Sequence, residues 1–278
     1  MPKGAFSHTL WCGDKGFLAG KTLLLYSEQG LGDTIQFCRY IKMLTPHVQH
    51  IVFAVEKPLV HLMHSSLKGV ECVIEKGKPL PAFDYHCSLL SLPYLFKTTL
   101  ETIPSSHSYL YADVEKVSYW YNLLDKTKPK IGLVWSGSQT YKGDALRSIP
   151  LEKLLRHLPK GKFEYVCLQK EIRQSDQKAF ESSSIRFFGK ELDDFSNTAA
   201  LCSLMDLVVS VDTSVAHLAA ALGKKTLILL PFAPDWRWML DRNDTPWYPS
   251  VKLLRQNAIG EWESVLAKLN RILINFES

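Results

Sequence analysis

No stretch of this 278-residue chain approaches the roughly 18 uncharged apolar residues that a membrane-spanning helix needs, so no helical span is expected. The segment from Met1 to Gly20 carries Lys3 but neither a long apolar run nor a small-residue cleavage site. A secretory leader is therefore not expected, and a soluble, cytoplasmic protein is. Six cysteines, Cys12, Cys38, Cys72, Cys87, Cys167 and Cys202, show no C-x-x-C spacing, and most sit in apolar runs. They read as buried thiols rather than disulfides or metal ligands. Low-complexity tracts and short-period repeats are missing too, which excludes a solenoid. Neither sign of charge dominates: 33 Lys and Arg against 28 Asp and Glu leave +5, spread along the chain. That balance suits a small anionic ligand, and without a basic stripe interleaved with aromatics no nucleic-acid partner is expected.

What is present is an alternation of short apolar runs and helical periods. Lys21 to Tyr26, Ile51 to Val55 and Glu71 to Ile74 read as strands, with helices at Thr34 to Leu44 and Leu59 to Leu67 between them. From Ser88 to Tyr109 the chain is dense in Ser, Pro, Thr and Tyr and reads as irregular, before a helix over Val114 to Leu124. The charged, Pro-containing stretch Lys126 to Lys130 marks a boundary. Beyond it, strands at Ile131 to Trp135, Tyr165 to Leu168, Leu207 to Val211 and Thr226 to Leu230 alternate with helices at Leu151 to His157 and Ser214 to Leu222. The last segment, Glu261 to Ile274, has the spacing of an amphipathic helix. The expected architecture is α/β, two parallel-sheet domains in tandem: a linker-like segment 1–20, a domain 21–125, a domain 126–259 and a terminal helix 260–278.

The candidate chemistry lies at the carboxyl ends of the strands, where open parallel sheets bind ligands. Gly30-Leu31-Gly32-Asp33 follows the first strand, but Ile35 stands where a dinucleotide fingerprint needs its third glycine, and no Gly-Lys-Ser or Gly-Lys-Thr makes a phosphate loop. Asp33 at the helix start would repel a phosphate; it reads either as a general base or as a helix cap. Asp212-Thr213-Ser214 follows another strand and opens an alanine-rich helix, where Thr213 and Ser214 suit a diphosphate, Asp212 a cap or sugar contact, and His217 a donor or a structural hydrogen bond. Pro231 to Trp238 offers Trp236 to a base or sugar, and Arg237 and Arg242 to phosphate. Arg147 reads as a leaving-group cation or an exposed loop residue, and Gln169-Lys170 as a base or ribose contact.

Taken in order, SEQGLGDTIQFCRY, FDYHCSLLSLP, IGLVWSG, VVSVDTSVAHLAAALGK and LLPFAPDWRWMLDR with DTPWYPSVKLLRQ resemble the glycosyltransferase domain that often follows tetratricopeptide repeats in bacterial proteins. That domain is itself similar to the ADP-heptose heptosyltransferases. The resemblance runs from about Leu18 to Leu273 and implies a GT-B fold of two Rossmann-like domains, the first binding the acceptor and the second a nucleotide-diphosphate sugar. It also implies inversion without metal or cofactor, Asp33 as catalytic base, and Asp212, Thr213, Ser214 and His217 around the donor diphosphate. Arg147 stands where the heptosyltransferases have a lysine, while Gly30, Gly32 and Gln36 fall on the acceptor side. The partners implied are a nucleotide sugar and an unidentified saccharide or protein acceptor. Thr9 to Lys21 resembles the linker between repeats and catalytic domain. A GT-B binding module without turnover is the alternative.

Overall fold

Leu23, Leu24 and Leu25 are consecutive and fully buried, which a strand achieves only when both faces of its sheet are covered. The computed structural model describes residues 9–277; residues 1–8, part of the linker-like segment, and Ser278 lie outside the described residues. Five strands form the first sheet: β1 (Thr9–Leu10), β2 (Thr22–Tyr26), β3 (His50–Val55), β4 (Cys72–Glu75) and β5 (Tyr85–Ser88). Their order is β1-β5-β2-β3-β4, with every pairing parallel. The second sheet comprises β6 (Lys130–Val134), β7 (Glu164–Cys167), β8 (Arg186–Phe187), β9 (Leu207–Val211), β10 (Thr226–Leu230) and β11 (Val251–Arg255). Its order is β11-β10-β9-β6-β7-β8, again all parallel.

Each order contains one reversal, and each reversal opens a crevice. In the first sheet the chain winds outward from β2 to β4 and returns as β5 on the other side of β2. The second winds outward from β6 to β8 and returns as β9 beside β6, the doubly wound arrangement of a dinucleotide-binding fold. The crevices therefore lie beyond the carboxyl ends of β2 and β5, and of β6 and β9.

The helix Leu31–Phe37 follows β2, and the helix Ser214–Ala221 follows β9. They cross closely at Gly32, where an added Cβ would stand 3.0 Å from His217 Cδ2 and 3.5 Å from Ser214 Cα. One buried cluster joins Leu23, Leu25 and Phe53 of the first sheet to Ala216, Leu218, Ile228 and Leu230 of the second domain. The two domains thus share a core along this crossing. The helix Val114–Leu123 places Trp120 among Val134, Val166, Leu201 and Val208, so it rests on the second sheet. Glu263–Ile274 returns Val265, Leu266, Leu269 and Leu273 to the core around Ile131 and Leu133. Among the described residues no helix is long and apolar enough to cross a membrane.

Several local expectations need correction. The helix expected from Thr34 to Leu44 is interrupted by a 3₁₀ turn at Cys38–Tyr40, which tucks Arg39 inward. The region read as irregular holds the helix Leu92–Leu95, and the tail of β5 at Ser88. Val251–Arg255 is a strand, its pairing with β10 complete along its length.

Candidate active site

Asp33 occupies the third position of its helix, from which its side chain reaches back to the N-cap. Oδ2 accepts from the Gly30 N–H at 2.8 Å, satisfying one of the donors a helix start leaves open. Oδ1 pairs with Nη2 of Arg237, a residue 204 positions away on the loop after β10. The base-or-cap alternative is thus not exclusive: one oxygen caps, and the other faces the second domain. Arg237 is largely buried; its Nη1 donates to Asp235 Oδ1 at 2.8 Å, and its guanidinium lies 4.8 Å from the Trp236 ring centroid and 5.5 Å from that of Phe37. Expected to meet phosphate, it meets the candidate base instead.

Across the crossing, Thr213 is the N-cap of the eight-residue helix Ser214–Ala221, whose first turn directs N–H groups and the positive dipole end into the second crevice. The Thr213 hydroxyl is buried and lies 3.2 Å from the Ser210 hydroxyl. Ser214, half-buried, is the more open of the two. Asp212 packs between strand end and helix start, and burial pushes its carboxyl pKa up to about 6, with Asp235 adding to the rise while Trp238, Arg147 and Arg237 oppose it. Its carbonyl accepts from Arg147 Nη1 at 2.5 Å. That bond spans the second crevice, because Arg147 comes from the β6 side and Asp212 from the β9 side.

Arg147 closes the short helix Asp144–Arg147 rather than sitting in an open loop. Nε donates to Asp144 Oδ1 at 3.3 Å, and the guanidinium lies 4.6 Å from the Tyr141 ring centroid. Asp144 also binds Arg173 and accepts from Ser148, so two cations share one carboxylate here.

His217, one turn into its helix, is buried and stacks on Trp238 with centroids 5.2 Å apart and planes 25° apart. Its Nδ1 lies 2.8 Å from the Tyr248 hydroxyl and its Nε2 3.9 Å from Asp212 Oδ1. Burial first, then the nearby Arg237 and Arg39 charges, lower its pKa to about 3, so the ring is neutral at physiological pH.

Other expected residues stand apart. Gln169 is buried with its amide spent: Oε1 accepts from the Trp135 and Ser136 N–H groups at 2.7 and 3.1 Å, and Nε2 donates to Ser136 Oγ and the Glu171 carbonyl. It pins the loop after β6, leaving no group for a ligand. Its neighbour Lys170 is exposed. Gln36 is fully buried, and its amide Oε1 and Nε2 have no hydrogen-bond partner among the described residues. Trp236 is 61% exposed, available as a stacking face. Arg242 forms a surface pair with Asp244 at 2.6 and 2.8 Å rather than facing the crevice. Residues that sequence reasoning passed over are Arg39, Tyr109 and Tyr248, which form a buried polar cluster beside His217. The one available signal was a lone arginine inside the apolar helical period of Ile35, Cys38 and Ile41. Two surface hollows of about 300 and 180 Å³ lie at the amino ends of the strands, around Gly20 and Gln49 and around Thr22 and Cys72.

Two α/β domains, each built on an all-parallel sheet and packed together along a crossing of two helices, define the GT-B fold class. Comparison with known proteins agrees. Residues 166–255 match the model of glycosyltransferase family 9 (heptosyltransferase). Protein FlbA of Caulobacter vibrioides is 27% identical over 294 residues, covering 96% of this chain and 48% of that protein. The chain thus spans about half the length of the curated relative it matches. Among solved structures, ADP-heptose LPS heptosyltransferase II of E. coli aligns with a TM-score of 0.64 at 13% identity, covering 91% of this chain and 98% of that one. A family 9 glycosyltransferase from Veillonella parvula aligns with 0.62 at 12%, covering 91% and 95%. The E. coli heptosyltransferase WaaC, solved with ADP, gives 0.56 at 13%, covering 91% and 98%. The chain has the GT-B fold and resembles the ADP-heptose heptosyltransferases.

Proposed function

We propose that this chain is a glycosyltransferase that moves a sugar from a nucleoside-diphosphate donor to an acceptor hydroxyl, with inversion and with cationic side chains in the place of a metal. In this reading the donor diphosphate lies over the start of the Ser214–Ala221 helix, where backbone N–H groups and the helix dipole favour an anion. Arg147, already bridging the crevice, neutralises charge as the diphosphate departs. Trp236 offers a face to the nucleobase or sugar. The acceptor enters beyond β2 and β5, and its hydroxyl takes the place on Asp33 Oδ1 that Arg237 holds. Asp33 accepts the proton, the acceptor oxygen attacks the anomeric carbon from the face opposite the diphosphate, and the freed guanidinium turns toward the leaving group.

The observation that carries this reading is the opposition of Asp33 to the Ser214 helix start across the Gly32 crossing, in a fold whose similar proteins include WaaC, solved with ADP. A thermal-shift series with ADP, UDP and GDP, followed by turnover of the matching sugar donors, tests it. Stabilisation by one nucleotide and a loss of at least about 100-fold in transfer for Asp33→Asn are expected. Wild-type transfer rates in Asp33→Asn would remove the base assignment, and binding without turnover of any donor would favour a binding module.

A further inference from the structure

Arg39 is 4% exposed, and among the described residues no carboxylate lies within ion-pair distance of it. Its charge is spread over neutral groups. Nε donates to the Gln36 carbonyl at 2.8 Å, Nη1 to the Trp247 carbonyl at 2.5 Å and Nη2 to the Tyr109 hydroxyl at 2.9 Å. The guanidinium lies 4.5 Å from the Tyr248 ring centroid, 4.6 Å from Tyr109 and 5.4 Å from Trp247. A guanidinium confined this way has no acceptor function and orients whatever accepts from it.

Hydroxyl protons can be followed outward from that fixed donor. Tyr109 accepts from Arg39 and donates to the Ile35 carbonyl at 3.0 Å, which spends its proton. The Tyr248 hydroxyl is 3.5 Å from the Tyr109 oxygen but only 2.8 Å from His217 Nδ1. Its short contact is therefore to the imidazole, where the hydroxyl or Nδ1 could be the donor; the Asp212 carboxylate facing Nε2 favours the ring proton on that nitrogen, which leaves Nδ1 to accept from Tyr248. A neutral imidazole accepting at Nδ1 carries its proton on Nε2. Nε2 faces the helix crossing, 3.9 Å from Asp212 Oδ1 and beside Gly32.

We propose that Tyr248, oriented by Arg39 and Tyr109, is a positioning residue that locks His217 as the Nε2–H tautomer, so that the ring offers a proton donor to the diphosphate of a nucleotide sugar. The ligand half of this proposal rests on the functional reading above. The lock spans the domain interface, since Arg39 belongs to the first domain while Tyr248 and His217 belong to the second. Docked domains therefore set the polarity of the site. A lone pair turned toward the diphosphate would repel it, whereas an N–H attracts it.

Selective ¹⁵N labelling of histidine and long-range nitrogen–proton correlation read the tautomer directly, alongside calorimetric titration with ADP, UDP and GDP. Wild-type His217 is expected to show a protonated Nε2 and an unprotonated Nδ1. Tyr248→Phe keeps the ring and its packing; it is expected to yield a tautomer mixture and to weaken nucleoside-diphosphate binding about ten-fold. Tyr109→Phe, one step further from the imidazole, is expected to shift the tautomer less. A wild-type Nδ1–H tautomer, or unchanged tautomer and affinity in a folded Tyr248→Phe, would overturn the assignment. If the tautomer is as stated but none of the three nucleotides binds, the diphosphate half falls together with the functional reading, while the lock itself stands.

Discussion

Replacing Asp212 by asparagine should stabilise the protein at neutral pH while leaving it nearly unchanged near pH 4. The carboxyl is moved by burial from its ordinary 3.8 to about 6 in the folded state. Moving the carboxyl over that range corresponds to roughly 3 kcal/mol. Its sign follows from proton binding: between the two pKa values the folded chain holds the proton more firmly than the unfolded one, so stability falls as pH rises. The favourable contribution is complete below about pH 4 and lost above about pH 6. His217 works in the opposite sense, since its pKa drops from 6.5 to about 3 on folding and its contribution is lost on acidification. The wild-type stability curve carries both effects, but the difference between wild type and Asp212→Asn isolates that of Asp212. Urea unfolding at successive pH values from about 4 to 8 should give a gap that widens to about 3 kcal/mol in favour of asparagine, with donor-dependent activity lost. A gap independent of pH, or a variant less stable than wild type at pH 7, would refute the claim that a desolvated charge is held there.

Gly32→Ala sets a methyl 3.0 Å from a ring that the Trp238 stack and the Tyr248 hydrogen bond hold in place; thermal unfolding should show a loss of about 1–3 kcal/mol, although alanine favours a helix. Arg39→Met leaves the Trp247 carbonyl and the Tyr109 hydroxyl without their donor and should lower stability by about 2–4 kcal/mol in denaturant titration. Gln169→Leu orphans the buried N–H groups of Trp135 and Ser136, at about 1–3 kcal/mol each, and should not alter nucleotide affinity in the folded protein beyond that loss. In a thiol-reagent assay Cys12, which is exposed, and Cys72, half-buried, should react in the native state. Burial pushes Cys38, Cys87, Cys167 and Cys202 up to about 12, so these should react only on unfolding.

Strands with continuous apolar runs were legible in the sequence because burial on both faces leaves a compositional mark. Leu207–Val211 and Thr226–Leu230 coincide with their runs residue for residue. Two-residue strands such as Thr9–Leu10 and Arg186–Phe187 carry no such mark, for they exist only through the neighbour they pair with. Val251–Arg255 hid for a related reason: it alternates buried Val251 and Leu253 with exposed Lys252 on an edge strand, a pattern shorter than a reliable period.

The turn from Gly30 to Asp33 and the helix start from Asp212 to Ser214 were set by local chemistry, since glycine, short polar side chains and a preceding apolar run dictate a strand, a tight turn and a helix. Pairing was not. Arg237 and Asp33 are 204 residues apart, and Arg39 and the Trp247 carbonyl 208 apart. Nothing in either segment specifies its partner. Whether Gln169 meets a ligand or pins a loop depends on where the ends of β6 and β7 stand, and the polarity of His217 on a hydroxyl from another element. Residue type limits which hydrogen bonds and charges are available; only the tertiary placement of strand ends and of the two crossing helices decides which of them meet.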